Sequence, residues 1–367
     1  MNIAYCIGGL PYGGVESWLF DLATLLKRRP DVKATIINVS GTGIRHNDFV
    51  AAGFDVRCVG DSTDCLKTSR LGTARTLRAL IRDMAPDIVH TVHFSADYFA
   101  RLACLGLDVP VITHIRNIKH ERKFHRRLAN KLLSFRTDLY LAVSQGAADT
   151  IRTDHNLARR PVKVVYNAID LDKLHVPPAP LPAPPAGLGP CKTILAVSRL
   201  VAQKNYPFLV RALARVAAVH PAIQLVIVGE GNERDRILAE AQACHIADRV
   251  HLLGYRTDVP ALMQAADIFA MPSLYEGLPI AHLEAMGCGL PAVISEHVPS
   301  KEISGGSAFV CPLDEAAFAD KLLALATDNT LHATMRAAAL AKAQDFSMTR
   351  HAENLLEIYR SLCSGRT

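Results

Sequence analysis

Two glutamates eight residues apart bracket a glycine and a proline in Glu276-Gly277-Leu278-Pro279-Ile-Ala-His-Leu-Glu284, directly after the apolar run Ile268 to Met271. Pro279 suits the first turn of a helix, where its fixed φ is already correct and its missing N–H is not needed. Gly277 and Leu278 would then expose backbone N–H groups at a helix start, a place that attracts phosphate. Glu276 would precede that helix and Glu284 would lie about one and a half turns inside it. Two carboxylates beside a phosphate repel it unless each accepts hydrogen bonds from hydroxyl groups, one set on a sugar and the other on a ribose. A sugar nucleotide offers that combination. Out of context, two glutamates at this spacing also suit an ordinary surface helix.

Other groups share this pattern of strand end followed by loop. Arg199 and Lys204 follow the run Thr193 to Ser198. They could hold a diphosphate, the first as a bidentate donor and the second as a compact point charge, or be solvated surface cations. Gly229 and Gly231 end the next apolar run, and Gly254-Tyr255 the one after; glycine there suggests a flat ring or ribose lying against backbone. Near the start, Gly13 and Gly14 open the helical pattern Ser17 to Arg28, so they form a phosphate-compatible turn or merely a tight one. Their spacing is not the dinucleotide fingerprint, and Ser40 stands where a ribose-binding acid would end the second strand. An NAD enzyme is therefore disfavoured.

These groups need strands to hold them, and short β-branched runs alternate with helix-length stretches along the chain. Ile3 to Ile7, Ala34 to Val39, Ile88 to Thr91, Val111 to Thr113, Leu139 to Val143 and Val162 to Val165 read as strands in the first half. Thr193 to Ser198, Gln224 to Val228, Val250 to Leu253, Ile268 to Met271, Ala292 to Ser295 and Ala308 to Val310 do so in the second. Such alternation predicts an α/β protein of two doubly wound parallel sheets, with ligands beyond the C-terminal strand ends and a cleft between the domains. The segment 176–190 holds seven prolines and predicts a stiff connector between an N-terminal domain, 1–175, and a C-terminal domain, 191–345.

Composition narrows the function. At 367 residues, half of them apolar, the chain can build two cores, and a net charge of +6 is too small for a dedicated nucleic-acid protein. No run reaches the roughly 18 to 20 apolar residues that span a bilayer. The N-terminus shows no basic leader, and nine scattered cysteines without a C-x-x-C pair suit a reduced, cytoplasmic protein. His90-x-x-His93 and the group His114, His120 and His125 lack accompanying ligand spacing, and Asp170-Leu-Asp172 sits at the approach to the prolines. No metal site is expected.

Taken in order, Gly13-Gly14-Val-Glu16, Ser198-Arg199-Leu with Lys204-Asn205, Val228-Gly-Glu-Gly-Asn-Glu-Arg234, Leu253-Gly-Tyr255 and Pro272-Ser-x-x-Glu276-Gly-Leu-Pro279 with Glu284-Ala-Met-Gly resemble the retaining family-4 glycosyltransferases of the GT-B architecture. The likeness spans nearly the whole chain and points to the bacterial branch that builds cell-surface polysaccharides and glycoconjugates. It implies that Glu284 binds the ribose hydroxyls, Glu276 the transferred sugar, and Gly277 to Pro279 the phosphates. It implies that Arg199 and Lys204 stabilise the leaving diphosphate in place of a metal, and that His114 touches the donor sugar. Front-face attack with retention, a UDP-linked donor, and a last segment, 346–367, that crosses back to the first domain come from the same resemblance.

The acceptor side rests on Arg116 to Arg136, which carries eight Lys and Arg against one Glu, with Phe124, Leu128, Leu132 and Phe135 at helical spacing. It reads as a basic amphipathic helix that packs on the core, or grips an acceptor phosphate, or lies on an anionic membrane at the inner face of the cell. Arg116, two residues after His114, is the candidate acceptor contact. The acceptor expected is a glycan or lipid-linked saccharide. Two rivals share the architecture: a UDP-sugar 2-epimerase, which would convert UDP-N-acetylglucosamine without an acceptor, and a non-catalytic nucleotide-binding module, which would transfer nothing.

Overall fold

A computed structural model describes residues 1–116, 124–153, 160–184 and 188–365. The chain forms two compact units, Met1–Ala168 together with Met348–Thr367, and Ile169–Ser347.

The first unit is built on seven parallel strands, β1 (Asn2–Ile7), β2 (Lys33–Asn38), β3 (Asp55–Cys58), β4 (Ile88–Val92), β5 (Val111–Ile115), β6 (Leu139–Ala142) and β7 (Val162–Val164), in the order β3-β2-β1-β4-β5-β6-β7. Strands β4 and β5 are buried along their whole length, as strands covered on both faces must be. Their sequences nevertheless carry His90 and His114, so two imidazoles are carried into the interior. Strand β3 was not foreseen. Its sequence Asp55-Val-Arg-Cys58 is half polar because it is an edge strand with one open side. The helix Gly14–Lys27 packs against the last helix, Met348–Ser364, which turns His351, Leu355, Leu356 and Tyr359 inward.

The second unit holds β8 (Lys192–Val197), β9 (Ile223–Val228), β10 (Val250–Leu252), β11 (Ile268–Met271), β12 (Ala292–Ser295) and β13 (Ala308–Cys311), all parallel, in the order β10-β9-β8-β11-β12-β13. The order reverses between β8 and β11, and a crevice forms where loops leave such neighbours in opposite directions. Helices Tyr206–Val219 and Glu315–Thr327 close the core over one face, with Phe208 and Phe318 edge to face at 5.4 Å.

The prolines do not mark the crossing. The chain passes between units at Ala168 and Ile169, and the described part of the proline segment belongs to the second unit. Ala179 N donates to Ala261 O and Gln224 Nε2 to Pro182 O. Proline cannot join a ladder, but the carbonyls of an extended proline stretch still accept, so it lies along a domain surface as readily as it spans a gap.

The described part of the basic stretch is helical from Phe124 onward. Residues 117–123 lie outside the described residues; the helix runs Phe124–Leu133 and tightens into a single 3₁₀ turn at Ser134–Arg136. Leu128, Leu132 and Phe135 are exposed by 46%, 64% and 60%, so this apolar stripe faces solvent and not the core. All nine cysteines are free; Cys6, Cys104, Cys288 and Cys311 are buried, whereas Cys58 is exposed. Among the described residues no helix is long and apolar enough to cross a membrane.

Candidate functional site

The loops at the C-terminal ends of four adjacent strands of the second unit are fastened to one another in sheet order. Gly229 N donates to Gly254 O, joining the loops after β9 and β10. Leu200 N donates to Glu230 O and Glu233 N to Leu200 O, joining those after β8 and β9. Leu274 N donates to Gln203 O and Gln203 Nε2 to Tyr275 O, joining those after β8 and β11. On this framework Lys204 Nζ donates to Glu276 Oε1 at 2.6 Å. Both side chains are largely buried, at 13% and 9% exposure, so each charge has the other as its compensation. Two residues read separately from the sequence thus meet across the β8–β11 switch point.

Arg199 stands exposed at the end of β8, and no ion pair holds it among the described residues. Beside it Ser198 Oγ and Tyr206 Oη lie 2.6 Å apart. Ser198, Lys204, Tyr206, Pro272 and Ser273 line a small recess between these strand ends, and Ser273 Oγ is buried there without a partner among the described residues. The helix that follows Glu276 begins at Ile280, and Pro279 is its cap residue, one position earlier than first-turn placement would give. Gly277 and Leu278 precede it, both buried, and Glu284 lies half-buried within the helix. Between them His282 is fully buried, with neither ring nitrogen partnered, stacked on Phe269 at 5.9 Å. Burial lowers its pKa to about 4.

The glycines have a structural reason of their own. Gly229 and Gly231 adopt φ of 140° and 157°, and a Cβ at either would strike the carbonyl of Ser198 or Leu200. They let two loops nest. Gly254, with φ 68°, and the exposed Tyr255 are not crowded in this way.

In the first unit, Gly13 caps the helix Gly14–Lys27, and a Cβ there would collide with the Glu16 carboxylate, which folds back over the helix start. Part of that terminus's attraction for an anion is therefore met from within. Glu16 Oε1 lies 4.0 Å from His93 Nε2. His93 itself takes φ 78° and ψ 146°, a conformation that strains any residue but glycine. His114, at the end of β5, is buried; its Nδ1 is 3.1 Å from His90 Nε2, and its Nε2 has no partner among the described residues. Arg116 stacks its guanidinium 4.0 Å from the centre of the Trp18 ring and donates from Nη2 to Asn167 Oδ1 at 2.5 Å. Burial lowers Arg116 to about 9, with Glu16 opposing.

The sequence reading missed most of what surrounds His114. Trp18, the single tryptophan, donates from Nε1 to His351 Nε2 at 2.9 Å and meets His114 edge-on at 5.5 Å. Tyr359 Oη lies 2.6 Å from His90 Nδ1 and 3.1 Å from Tyr5 Oη. These residues come from both ends of the chain, so no local motif announces them. Among the described residues no cluster of His, Cys, Asp and Glu could hold a metal.

Comparison with known proteins agrees with this layout. Residues 191–328 match the model described as glycosyl transferases group 1, and residues 12–173 the one described as glycosyltransferase family 4. A putative glycosyltransferase of Bacillus subtilis, EpsF, is 30% identical over 322 residues, covering 83% of this chain and 81% of its own. An Escherichia coli UDP-Gal:alpha-D-GlcNAc-diphosphoundecaprenol alpha-1,3-galactosyltransferase is 28% identical over 243 residues, 60% of each chain. In structure, Anabaena HepE, solved with UDP and glucose, superposes with a TM-score of 0.83 over 98% of this chain and 100% of its own, at 23% identity. The chain therefore belongs to glycosyltransferase family 4 and is a glycosyltransferase built on the two-Rossmann-domain GT-B fold.

Proposed function

We propose that this glycosyltransferase moves a sugar from a UDP-linked donor to a glycan or lipid-linked saccharide, with retention of configuration and without a metal, in the assembly of a cell-surface polysaccharide or glycoconjugate. The observation that carries the donor assignment is the Lys204–Glu276 pair at the β8–β11 switch point. A diphosphate arriving there competes with Glu276 for the Lys204 ammonium and frees the carboxylate to accept from sugar hydroxyls. Arg199, exposed beside it, supplies a bidentate donor for the same phosphates. Gly277, Leu278 and Pro279 place a helix start against them, and Glu284, one turn in, takes the ribose. Preorganised cations of this kind stabilise charge on the departing diphosphate with little reorganisation. Gly13, Gly14, Gly229, Gly231, Gly254 and Tyr255 complete the donor surface, with His114 against the sugar and Arg116 toward the acceptor.

The relative from Escherichia coli, whose printed name gives a UDP-sugar donor and a diphosphoundecaprenol-linked acceptor, supports the choice of substrates, although only 60% of that protein is covered. For the membrane, support comes from the exposed stripe Leu128, Leu132 and Phe135 beside the exposed Arg127 and Lys131. Apolar side chains flanked by cations suit the surface of an anionic bilayer at the cytoplasmic face.

A thermal-shift panel of nucleoside diphosphates and sugar nucleotides tests the donor, since a ligand of the folded state raises Tm with affinity. UDP and one UDP-sugar are expected to give the largest shifts; none from any nucleotide would contradict the assignment. Transfer unaffected by EDTA, and an axial or equatorial product bond matching the donor's, are the expected results for metal independence and retention. Sedimentation with liposomes is expected to increase with anionic lipid content and to fall for Leu132→Glu.

A further inference from the structure

We propose that Tyr206 is a positioning residue for transfer: its phenol, bonded to Ser198, struts the loop 198–205 so that the Lys204 ammonium is held against Glu276 at the β8–β11 switch point. The role in transfer rests on the reading of Lys204 as a ligand of the donor diphosphate; the strut does not.

A loop that leaves a strand and turns into a helix is fixed by what its middle and its two ends touch. The middle of this one is tied on both sides, Leu200 to the loop after β9 and Gln203 to the loop after β11. Lys204 stands near its far end. There the chain passes from the 3₁₀ turn Ala202–Lys204 through Asn205, left-handed at φ 56° and ψ 39°, into the helix Tyr206–Val219. Asparagine tolerates that conformation, but its side chain makes no capping bond, so no cap fastens the helix start to the loop.

Packing does not supply the missing support. Lys204 and Tyr206 line the same small recess, with Ser198 and Ser273, so on that side the lysine borders open space. Two of these lining residues are joined: Tyr206 Oη and Ser198 Oγ lie 2.6 Å apart, eight residues from one another in sequence. Both anchors are rigid. The Tyr206 ring is 2% exposed and belongs to the core beside Phe208 and Leu209. Ser198 N donates to Val228 O, and a Cβ on Gly229 would strike the Ser198 carbonyl. Burial raises the phenol above its usual range, the Ser198 contact opposes this and the charge of Glu276 adds to it, so strut and ion pair are close neighbours.

A lysine side chain is a flexible stem, and the placement of its backbone decides where the ammonium can rest at low cost. Without the strut, the Lys204 end of the loop is free to settle toward the recess. Displacement of a charge on the order of an ångström costs rate more than it costs binding. Tyr206 touches no ligand in this scheme; it acts through Lys204.

The ammonium signal of Lys204 in the full chain labelled with ¹⁵N-lysine reads the strut without any donor. Identified by its loss in Lys204→Met, it is expected to exchange with water about tenfold faster in Tyr206→Phe and in Ser198→Ala than in the parent chain, with circular dichroism unchanged. Unchanged exchange in either folded variant overturns the strut, and Ser198→Ala carries the test if Tyr206→Phe does not fold. In transfer assays each variant is expected to lower kcat about tenfold with KM held within about twofold, and the two together no further than one alone, since both cut the same bond. In a Lys204→Met background Tyr206→Phe is expected to cost nothing more. A further tenfold loss there overturns the positioning role, as does parental kcat in both single variants while Lys204→Met is impaired. Faster exchange in both variants, with Lys204→Met itself at parental kcat, keeps the strut and overturns the donor reading of Lys204.

Discussion

The strand ends of the second unit carry opposite charges: Lys204 and Glu276 are bound to each other and largely buried, Arg199 is exposed and Glu284 half-buried. The polar groups inside the first unit are arranged otherwise: His90, His114, His351, Tyr5 and Tyr359 lie in the interior, neutral and hydrogen-bonded to one another or to Trp18. A charge whose counter-charge is another side chain can exchange that partner for a ligand of the same sign. Buried neutral rows exchange nothing and hold geometry. The contrast sets exchangeable charge in one unit against fixed hydrogen bonds in the other. Each prediction below attacks one side of it.

The largest effect expected is acid sensitivity of the first unit. Burial lowers His90 and His351 from 6.5 to about 3, and His114 in the same direction. An unfolded chain would protonate all three near pH 6.5, whereas the folded chain keeps them neutral. Their contribution to stability is complete above about pH 6.5 and is lost as pH falls, by about 1.4 kcal/mol per histidine for each pH unit. Urea midpoints are expected to fall steeply from pH 7 to pH 5. A flat profile would show that the histidines are not held neutral.

Next in size is the ion pair of the second unit. Lys204→Met is expected to lower kcat by about a hundredfold and stability by roughly 3 to 5 kcal/mol, because Glu276 is left buried and uncompensated. Adding Glu276→Gln should recover most of the stability and none of the activity. Activity recovered by the double variant would reduce the pair to a structural strut.

Asp97 supplies an opposite slope inside the first unit. Burial raises it from 3.8 to about 7, against Arg101 and the hydrogen bond from Thr91. The folded chain keeps this proton where the unfolded chain has released it, so its contribution is present below about pH 4 and lost as pH rises to about 7. Asp97→Asn is expected to make the acid slope steeper by about the share of one histidine, as urea titrations at several pH values would show. The smallest effect concerns His282, buried with both nitrogens unpartnered. His282→Leu is expected to raise stability by about 1 kcal/mol in urea, since no hydrogen bond is lost; a loss of stability would reveal a partner for that ring.

The same contrast explains what could be read from the sequence. Alternation of β-branched runs and helices revealed both sheets, and strand-end loops carried Arg199, Lys204, Glu276 and Glu284 in short, ordered motifs. A site assembled from adjacent loops leaves such a record. Edge strand β3 escaped because half its residues are polar, and the proline stretch misled because an extended segment can dock as well as bridge. The row around His114 left no local trace: Tyr5, Trp18, His90, His351 and Tyr359 meet only after the last helix packs on the first unit. The distance from Tyr5 to Tyr359 is 354 residues in sequence and one hydrogen bond in space.

The division of labour within Glu276 to Glu284 is tested most directly by calorimetric titration of UDP into the parent chain and into Glu276→Ala and Glu284→Ala. Removing Glu284 is expected to weaken UDP about tenfold or more, through lost ribose hydrogen bonds. Removing Glu276 should leave UDP affinity unchanged or higher, because Lys204 is released toward the phosphates, while transfer falls about a hundredfold. Equal loss of UDP affinity in both variants would contradict the account.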